Sequence, residues 1–221
     1  MGSSARYKGV IFDWDGTLAN TVELNCQVWR KIMLNHGVDI PSERFKPYIG
    51  KGGRLIILDF LGKDTDEMII GSMLTEKSDA YIEVAGARGE NLLNSGALEL
   101  LEFLRANGIR TAIGTAGTKN AVETLLETTG IGHTIDAIST VEDAGISTRP
   151  KPIIFSVAAK RLGVGHSEAA IVGDADADME GGKIGNFGLN IQVLGPDRLQ
   201  ERSKSADVFV TDLAEIGKLI V

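Results

Sequence analysis

Short apolar runs recur along this chain at intervals that admit one helix each. The first is Tyr7-Lys8-Gly9-Val10-Ile11-Phe12-Asp13. Ile109 to Thr115, Ala137 to Glu142, Ala169 to Asp174 and Leu189 to Leu194 follow. Ala206 to Thr211 adds an edge candidate. Runs that are apolar almost throughout, rather than alternating, read as strands buried on both faces of a parallel sheet. Helical stripes fill the intervals. Ser95 is placed to cap a helix carrying Leu98, Leu101 and Leu104, stopped by Gly108. Thr118 caps the next, with Val122, Leu125 and Leu126 inward and Gly130 beyond its end. Pro152 suits the first turn of a third, with Ile153, Val157 and Leu162 inside and Gly163 as its stop. Strands alternating with helices in this way predict a doubly wound, mostly parallel α/β sheet of the Rossmann type.

One interval breaks the rhythm. Between Asn20 and Glu90 no run reads as a buried strand, whereas Val22 to His36, Leu55 to Leu61 and Asp66 to Val84 read as helices. The expected organisation is an α/β core over 1–19 and 91–221, with a small helical cap domain inserted at 20–90.

Composition narrows the function classes. The net charge is −7 and no basic run exceeds two residues, so a nucleic-acid surface or an anionic membrane surface is not expected. No stretch approaches the roughly 18 to 20 apolar residues of a membrane span. Met1 to Lys8 lacks the apolar core of a secretion signal. Cys26 is the single cysteine, which rules out an internal disulfide and reads as a small apolar residue on the first cap helix. The expected setting is cytoplasmic.

Open parallel sheets bind ligands beyond the carboxyl ends of their strands. The first predicted strand ends in Asp13, followed by Trp14-Asp15-Gly16-Thr17-Leu18. The second ends in Thr115 before Ala116-Gly117. Arg149-Pro150-Lys151-Pro152 opens a later helix, and the fourth strand ends in Gly173-Asp174 with Asp178 four residues on. The topology would gather these at one edge: several carboxylates, a hydroxyl and an ammonium. Clustered carboxylates repel, and all-oxygen donors suit a hard cation, Mg²⁺. A lysine and a hydroxyl aimed at the same place suit a phosphoryl group, and a carboxylate can attack phosphorus. Gly16 and Gly117 would let backbone amides approach an anion.

The segment Asp13-Trp14-Asp15-Gly16-Thr17-Leu18 resembles the first motif of the haloacid dehalogenase superfamily. Thr115, Lys151 and Gly173-Asp174-Ala175-Asp176-Ala177-Asp178 match its second, third and fourth motifs in order. The resemblance spans the core, and the helical insert sits where that family carries its type-one cap. It implies an Mg²⁺-dependent phosphatase acting on a small phosphorylated metabolite, as a monomer or a homodimer. Asp13 would be the nucleophile that forms an aspartyl-phosphate, and Asp15 the general acid and base. Asp13, Asp174 and the Asp15 carbonyl would ligate the metal, with Asp178 either a ligand through water or a group that orients Lys151. Thr115 and Lys151 would hold phosphoryl oxygens, helped by backbone amides of Asp15, Gly16 and Ala116. An acid at Asp15 argues against dehalogenation, because the dehalogenase branch has none there.

Several readings stay open at this level. A mutase resembling β-phosphoglucomutase uses the same core and hands the phosphoryl group to a sugar hydroxyl. Phosphonoacetaldehyde hydrolase needs a cap lysine, for which Lys51 is the candidate. A non-catalytic module could keep the fold, although such proteins usually lose the nucleophile or the acid. Lys51-Gly52-Gly53-Arg54 is either a loop whose Lys51 or Arg54 meets a second anionic group of the substrate, or a polar turn. Trp14 either floors the pocket or packs. Asp176 and Glu180 read as solvated or capping residues.

Overall fold

The structure is a computed structural model that describes residues 6–147, 149–195 and 202–221. The first five residues of the Met1 to Lys8 segment therefore lie outside the described residues. Six parallel strands form one sheet: β1 (Gly9–Phe12), β2 (Arg110–Gly114), β3 (Ala137–Ser139), β4 (Ala169–Gly173), β5 (Leu189–Val193) and β6 (Val208–Val210). Their spatial order is β3-β2-β1-β4-β5-β6, so the winding reverses between β1 and β4. The register pairs Phe12 with Ile113 on one side and with Val172 on the other, which brings the three strand ends level.

The helices are α1 (Val22–Asn35), α2 (Gly53–Leu61), α3 (Glu67–Gly86), α4 (Ala97–Ala106), α5 (Lys119–Thr129), α6 (Val141–Ala144), α7 (Lys151–Leu162), α8 (Asp176–Ile184) and α9 (Gly217–Ile220). Alternation along β1 divides the core. Val10 and Phe12 join the cluster that holds Leu100, Leu101 and Leu104 of α4, while Ile11 joins Ile154, Phe155 and Ala158 of α7. α1, α2 and α3 follow β1 in sequence and lie outside the sheet. The chain leaves and re-enters through two paired segments, with Asn20 N–H donating to Leu92 O (2.8 Å) and Asn94 N–H donating to Leu18 O (2.8 Å). No helix among the described residues is long and apolar enough to cross a membrane.

The structure departs from the sequence reading in four places. The third strand stops at Ser139 rather than running to Glu142. Thr140 starts a helix there, because the Asp143 carboxylate accepts from Thr140 N–H (3.0 Å) in a capping box. Ser95 is not the cap of α4. Gly96 holds that place in the left-handed region, at φ 79°, where a side chain would be strained. In α7, Ile153 is exposed and Val157 half-buried, and the buried face is Ile154, Phe155, Ala158, Ala159 and Leu162. The stripe is rotated because Lys151, the first helical residue, points inward. Finally, α2 begins at Gly53, two residues before Leu55. Thr118 does cap α5, its Oγ1 accepting from Ala121 N–H (3.4 Å).

Close packing at the site's flank depends on glycine. A Cβ at Gly182 of α8 would overlap Asn190 Oδ1 of β5. Gly182→Ala is expected to destabilise the protein by about 1–3 kcal/mol, the range for overpacking a filled core, read as a lower urea midpoint at unchanged m.

Candidate functional site

The winding reversal leaves a crevice above β1 and β4, and the polar residues predicted at the strand ends fall into it. Asp13 follows β1 directly and is 1% exposed, its N–H donating to Val172 O (2.8 Å). Asp174 follows β4 and Asp178 lies in the first turn of α8. Carboxylate oxygens of Asp13, Asp174 and Asp178 lie within 4.8 Å of one another, all buried. Lys151 reaches in from the start of α7, 2% exposed. Its Nζ is 2.7 Å from Asp13 Oδ1 and 2.6 Å from Asp178 Oδ1, and it donates to Gly114 O (3.2 Å). The ammonium therefore bridges two of the three carboxylates.

Local sequence explains this convergence. Gly16 sits at φ 84°, and a Cβ there would overlap the Asp174 carboxylate, so only glycine lets the turn after β1 lie against β4's end. Thr17 Oγ1 donates to Asp174 Oδ1 (3.4 Å). A Cβ at Gly173 would likewise overlap Asp178. The Asp178 Oδ2 accepts from Ala175 N–H (3.1 Å), which closes the first turn of α8 and aims Oδ1 at Lys151.

The electrostatics are those of a site short of positive charge. Burial, and next the Asp178 charge, push the Asp13 carboxyl well above its ordinary range, while Lys151 pulls the other way. Burial works against the Lys151 ammonium, but Asp13 and Asp178 outweigh it and raise its pKa above the usual lysine value. Asp13 Oδ2 is buried with no hydrogen-bond partner among the described residues. An all-oxygen cluster with an unpartnered buried carboxylate oxygen fits a hard divalent cation at Asp13 and Asp174, with Asp178 alongside.

Asp15 points elsewhere. Its carboxylate does not join the cluster, and Oδ1 accepts from Thr21 Oγ1 (2.6 Å), Asn25 Nδ2 (2.7 Å) and Tyr81 Oη (2.6 Å). Lys77 Nζ donates in turn to Asn25 Oδ1 (2.7 Å) and lies 4.4 Å from the Tyr81 ring centre. Burial raises the Tyr81 phenol well above its usual pKa, with the Asp15 charge adding to it, so it stays a donor. Burial lowers Lys77, against the pull of Asp15. None of Thr21, Asn25, Lys77 and Tyr81 was singled out in the sequence. Their signal was spacing: Thr21 and Asn25 are four apart at the start of α1, as are Lys77 and Tyr81 on α3, so each pair shares a helix face.

The remaining candidates divide. Thr115 is buried at the end of β2, its Oγ1 accepting from Gly117 N–H (3.1 Å), which shapes the loop through Ala116. Asp15, Thr115, Ala116, Gly117, Lys51 and Arg54 all border one cleft of about 290 Å³ between the helical insert and the sheet edge. Lys51 and Arg54 stay outside the carboxylate cluster, and Arg54 forks onto Glu67 (2.7 and 2.5 Å). Trp14 is 1% exposed and packs in the core. Asp176 is exposed at the start of α8 and accepts from Ser203 Oγ, and Glu180 is exposed too. Burial pushes the Cys26 thiol up to about 12, so it stays protonated and inert.

With this geometry in place, similarity to known proteins is informative. Residues 7–185 match the haloacid dehalogenase-like hydrolase family, and the chain belongs to it. Validoxylamine A 7'-phosphate phosphatase of Streptomyces hygroscopicus subsp. limoneus is 28% identical over 214 residues, covering 95% of this chain and 96% of that one. A beta-phosphoglucomutase of Mycobacterium tuberculosis is 26% identical over 246 residues, covering 98% and 94%. Among solved structures, beta-phosphoglucomutase from Clostridium difficile superposes with a TM-score of 0.79 at 25% identity, covering 95% of this chain and 93% of that one.

The ion-pair geometry makes a stability prediction. Without divalent metal, Lys151→Met leaves two buried carboxylates uncompensated and is expected to cost about 3–5 kcal/mol in urea unfolding at pH 7. Adding Asp178→Asn to that variant is expected to restore part of the loss. A restoration of nothing would show that packing, not charge, holds Lys151 in place.

Proposed function

We propose that the protein is an Mg²⁺-dependent phosphatase that hydrolyses a small phosphate monoester through an aspartyl-phosphate at Asp13. The observation that carries this reading is the buried Asp13 carboxylate, with one oxygen on Lys151 (2.7 Å) and the other without a hydrogen-bond partner among the described residues. Membership of a hydrolase family and the similarity to a named phosphatase support it.

In this reading an Asp13 oxygen forms a bond to phosphorus as the ester P–O bond breaks. The leaving oxygen takes its proton from Asp15. Water then attacks phosphorus, Asp15 receives a proton from it, and Asp13 is released as inorganic phosphate forms. Three donors hold Asp15 through one oxygen, and in this reading the other exchanges the proton with the ester oxygen. Lys151 and Thr115 hold phosphoryl oxygens, with the amides of Asp15, Gly16 and Ala116 as further donors, so most of the catalysis is positioning and charge stabilisation. Mg²⁺ would be held by Asp13, Asp174 and the Asp15 carbonyl, with Asp178 behind them, and would supply positive charge to the phosphoryl oxygens. The helices at 20–90 act as a cap over the cleft, turning on the paired segments Leu18–Asn20 and Leu92–Asn94, and exclude bulk water when closed.

The similarity to beta-phosphoglucomutases keeps one second reading, in which a sugar hydroxyl replaces water as the acceptor. Phosphate release from a panel of small esters, with and without Mg²⁺, separates them. Wild type is expected to turn over at least one ester only with Mg²⁺. Asp13→Asn is expected to lose about 10³-fold or more, since the covalent step has no substitute. An isomerised sugar phosphate without phosphate release would establish the mutase instead. Tyr81→Phe removes one of three donors from Asp15. It is expected to lower kcat by about 10-fold, the cost of one hydrogen bond to a charged group, with KM nearly unchanged.

A further inference from the structure

One glutamine is buried in the strand beside the carboxylate cluster, and its partners give it a role. β5 lies between β4 and β6, and its residues Ile191 and Val193 are fully buried apolar core. Gln192 between them is equally buried. A carboxamide in such a place costs free energy unless both of its ends are paired. Gln192 meets that condition. Its Nε2 donates to the backbone carbonyl of Asp174 (3.0 Å), and its Oε1 accepts from Ser203 N–H (2.8 Å).

The first bond answers a local need. The ladder between β4 and β5 has its last pair at Gly173 and Gln192. Asp174 comes next, and at Ala175 the chain turns into α8. The Asp174 carbonyl therefore lies past the end of the strand pairing, in a residue only 1% exposed, and the Gln192 side chain reaches it. The second bond brings in the segment ahead of β6. Ser203 is buried, and its Oγ donates to Asp176 Oδ1 and accepts from Ser205 N–H (3.1 Å). Asp174 and Asp176, on either flank of Ala175, are thus tied to the same short segment. Two further bonds hold this turn: Thr17 Oγ1 donates to Asp174 Oδ1 (3.4 Å), and Asp178 Oδ2 accepts from Ala175 N–H (3.1 Å).

We propose that Gln192 is a positioning residue for the divalent cation. Through the Asp174 backbone it fixes the direction of the Asp174 carboxylate. Through Ser203 it makes cation affinity depend on the segment ahead of β6. This rests on the reading that Asp13 and Asp174 hold Mg²⁺. Hydrogen bonds that orient a metal ligand matter nearly as much as the ligand, and losing one typically weakens affinity by roughly 10- to 100-fold.

The test is the affinity for Mg²⁺, read from the rise of Tm with MgCl₂ at constant ionic strength, which needs no turnover. Gln192→Met keeps the length of the side chain and removes both of its bonds. It is expected to raise the Kd for Mg²⁺ about 10-fold or more. Ser203→Ala keeps the N–H on Gln192 and removes the bond to Asp176. It is expected to raise the Kd by about two- to fivefold, the worth of one hydrogen bond. Val193→Ala opens a cavity in the same strand and touches none of these bonds. It is expected to lower Tm without metal and to leave the Kd within about twofold of wild type. A Kd in Gln192→Met no higher than in Val193→Ala would overturn the positioning role and leave the metal site standing. An unchanged Kd in Ser203→Ala would overturn the link to the segment ahead of β6, and this variant decides the proposal if Gln192→Met does not fold. No response of wild type to Mg²⁺ would overturn the metal site, and the role of Gln192 with it.

Discussion

The Lys151 ammonium, buried between Asp13 and Asp178, is the interaction on which the site's architecture rests. Three carboxylates confined within 4.8 Å would drive each other to protonate or the turns to open. One lysine cannot neutralise them all, and its reach ends at two (2.7 and 2.6 Å). The imbalance that remains is a charge deficit of the size a divalent cation fills. Burial makes the deficit consequential, because water is not there to screen it.

The fold delivers that concentration of charge by simple means. Reversal of the winding between β1 and β4 leaves two strand ends side by side with no helix crossing above them. Glycines at 16 and 173 remove the side chains that would otherwise hold the acids apart, and Gly114 lies where Phe155 and Ile11 would meet a Cβ. The lysine arrives from the far face of the sheet because α7 begins at its own Lys151, stiffened by prolines on both sides. Rigid positioning of this kind lets a phosphoryl group be met by donors and charge already in place.

A second group of residues works through the helical insert. Asp15 belongs to the β1 turn, yet two of its three donors, Asn25 and Tyr81, come from α1 and α3. The placement of the Asp15 carboxylate is thus coupled to where those helices sit. Lys77 extends the coupling, since it holds Asn25 from one side while lying over Tyr81. Motion of the insert would change the hydrogen bonding of Asp15 and the shape of the cleft that it borders together.

The sequence by itself determined the α/β class, the helical interruption after the first strand, and Asp13, Asp15, Asp174, Asp178, Thr115 and Lys151 as the residues to watch. These were legible because each sits at a fixed offset from a strand or helix end, and strand ends are marked locally by apolar runs and glycine. Periodicity read the third strand too far and placed the α7 stripe one residue off, because a capping box and an inward-facing lysine override it. Only the tertiary structure decided that Lys151 bridges Asp13 and Asp178, that Arg54 is spent on Glu67, and that Thr21, Asn25, Lys77 and Tyr81 gather on Asp15. Those contacts join residues up to 138 positions apart, as from Asp13 to Lys151, and follow from where packing sets whole elements against each other. No local signal carries that information. The same polar helix face is a solvated surface until another element's charge is brought against it.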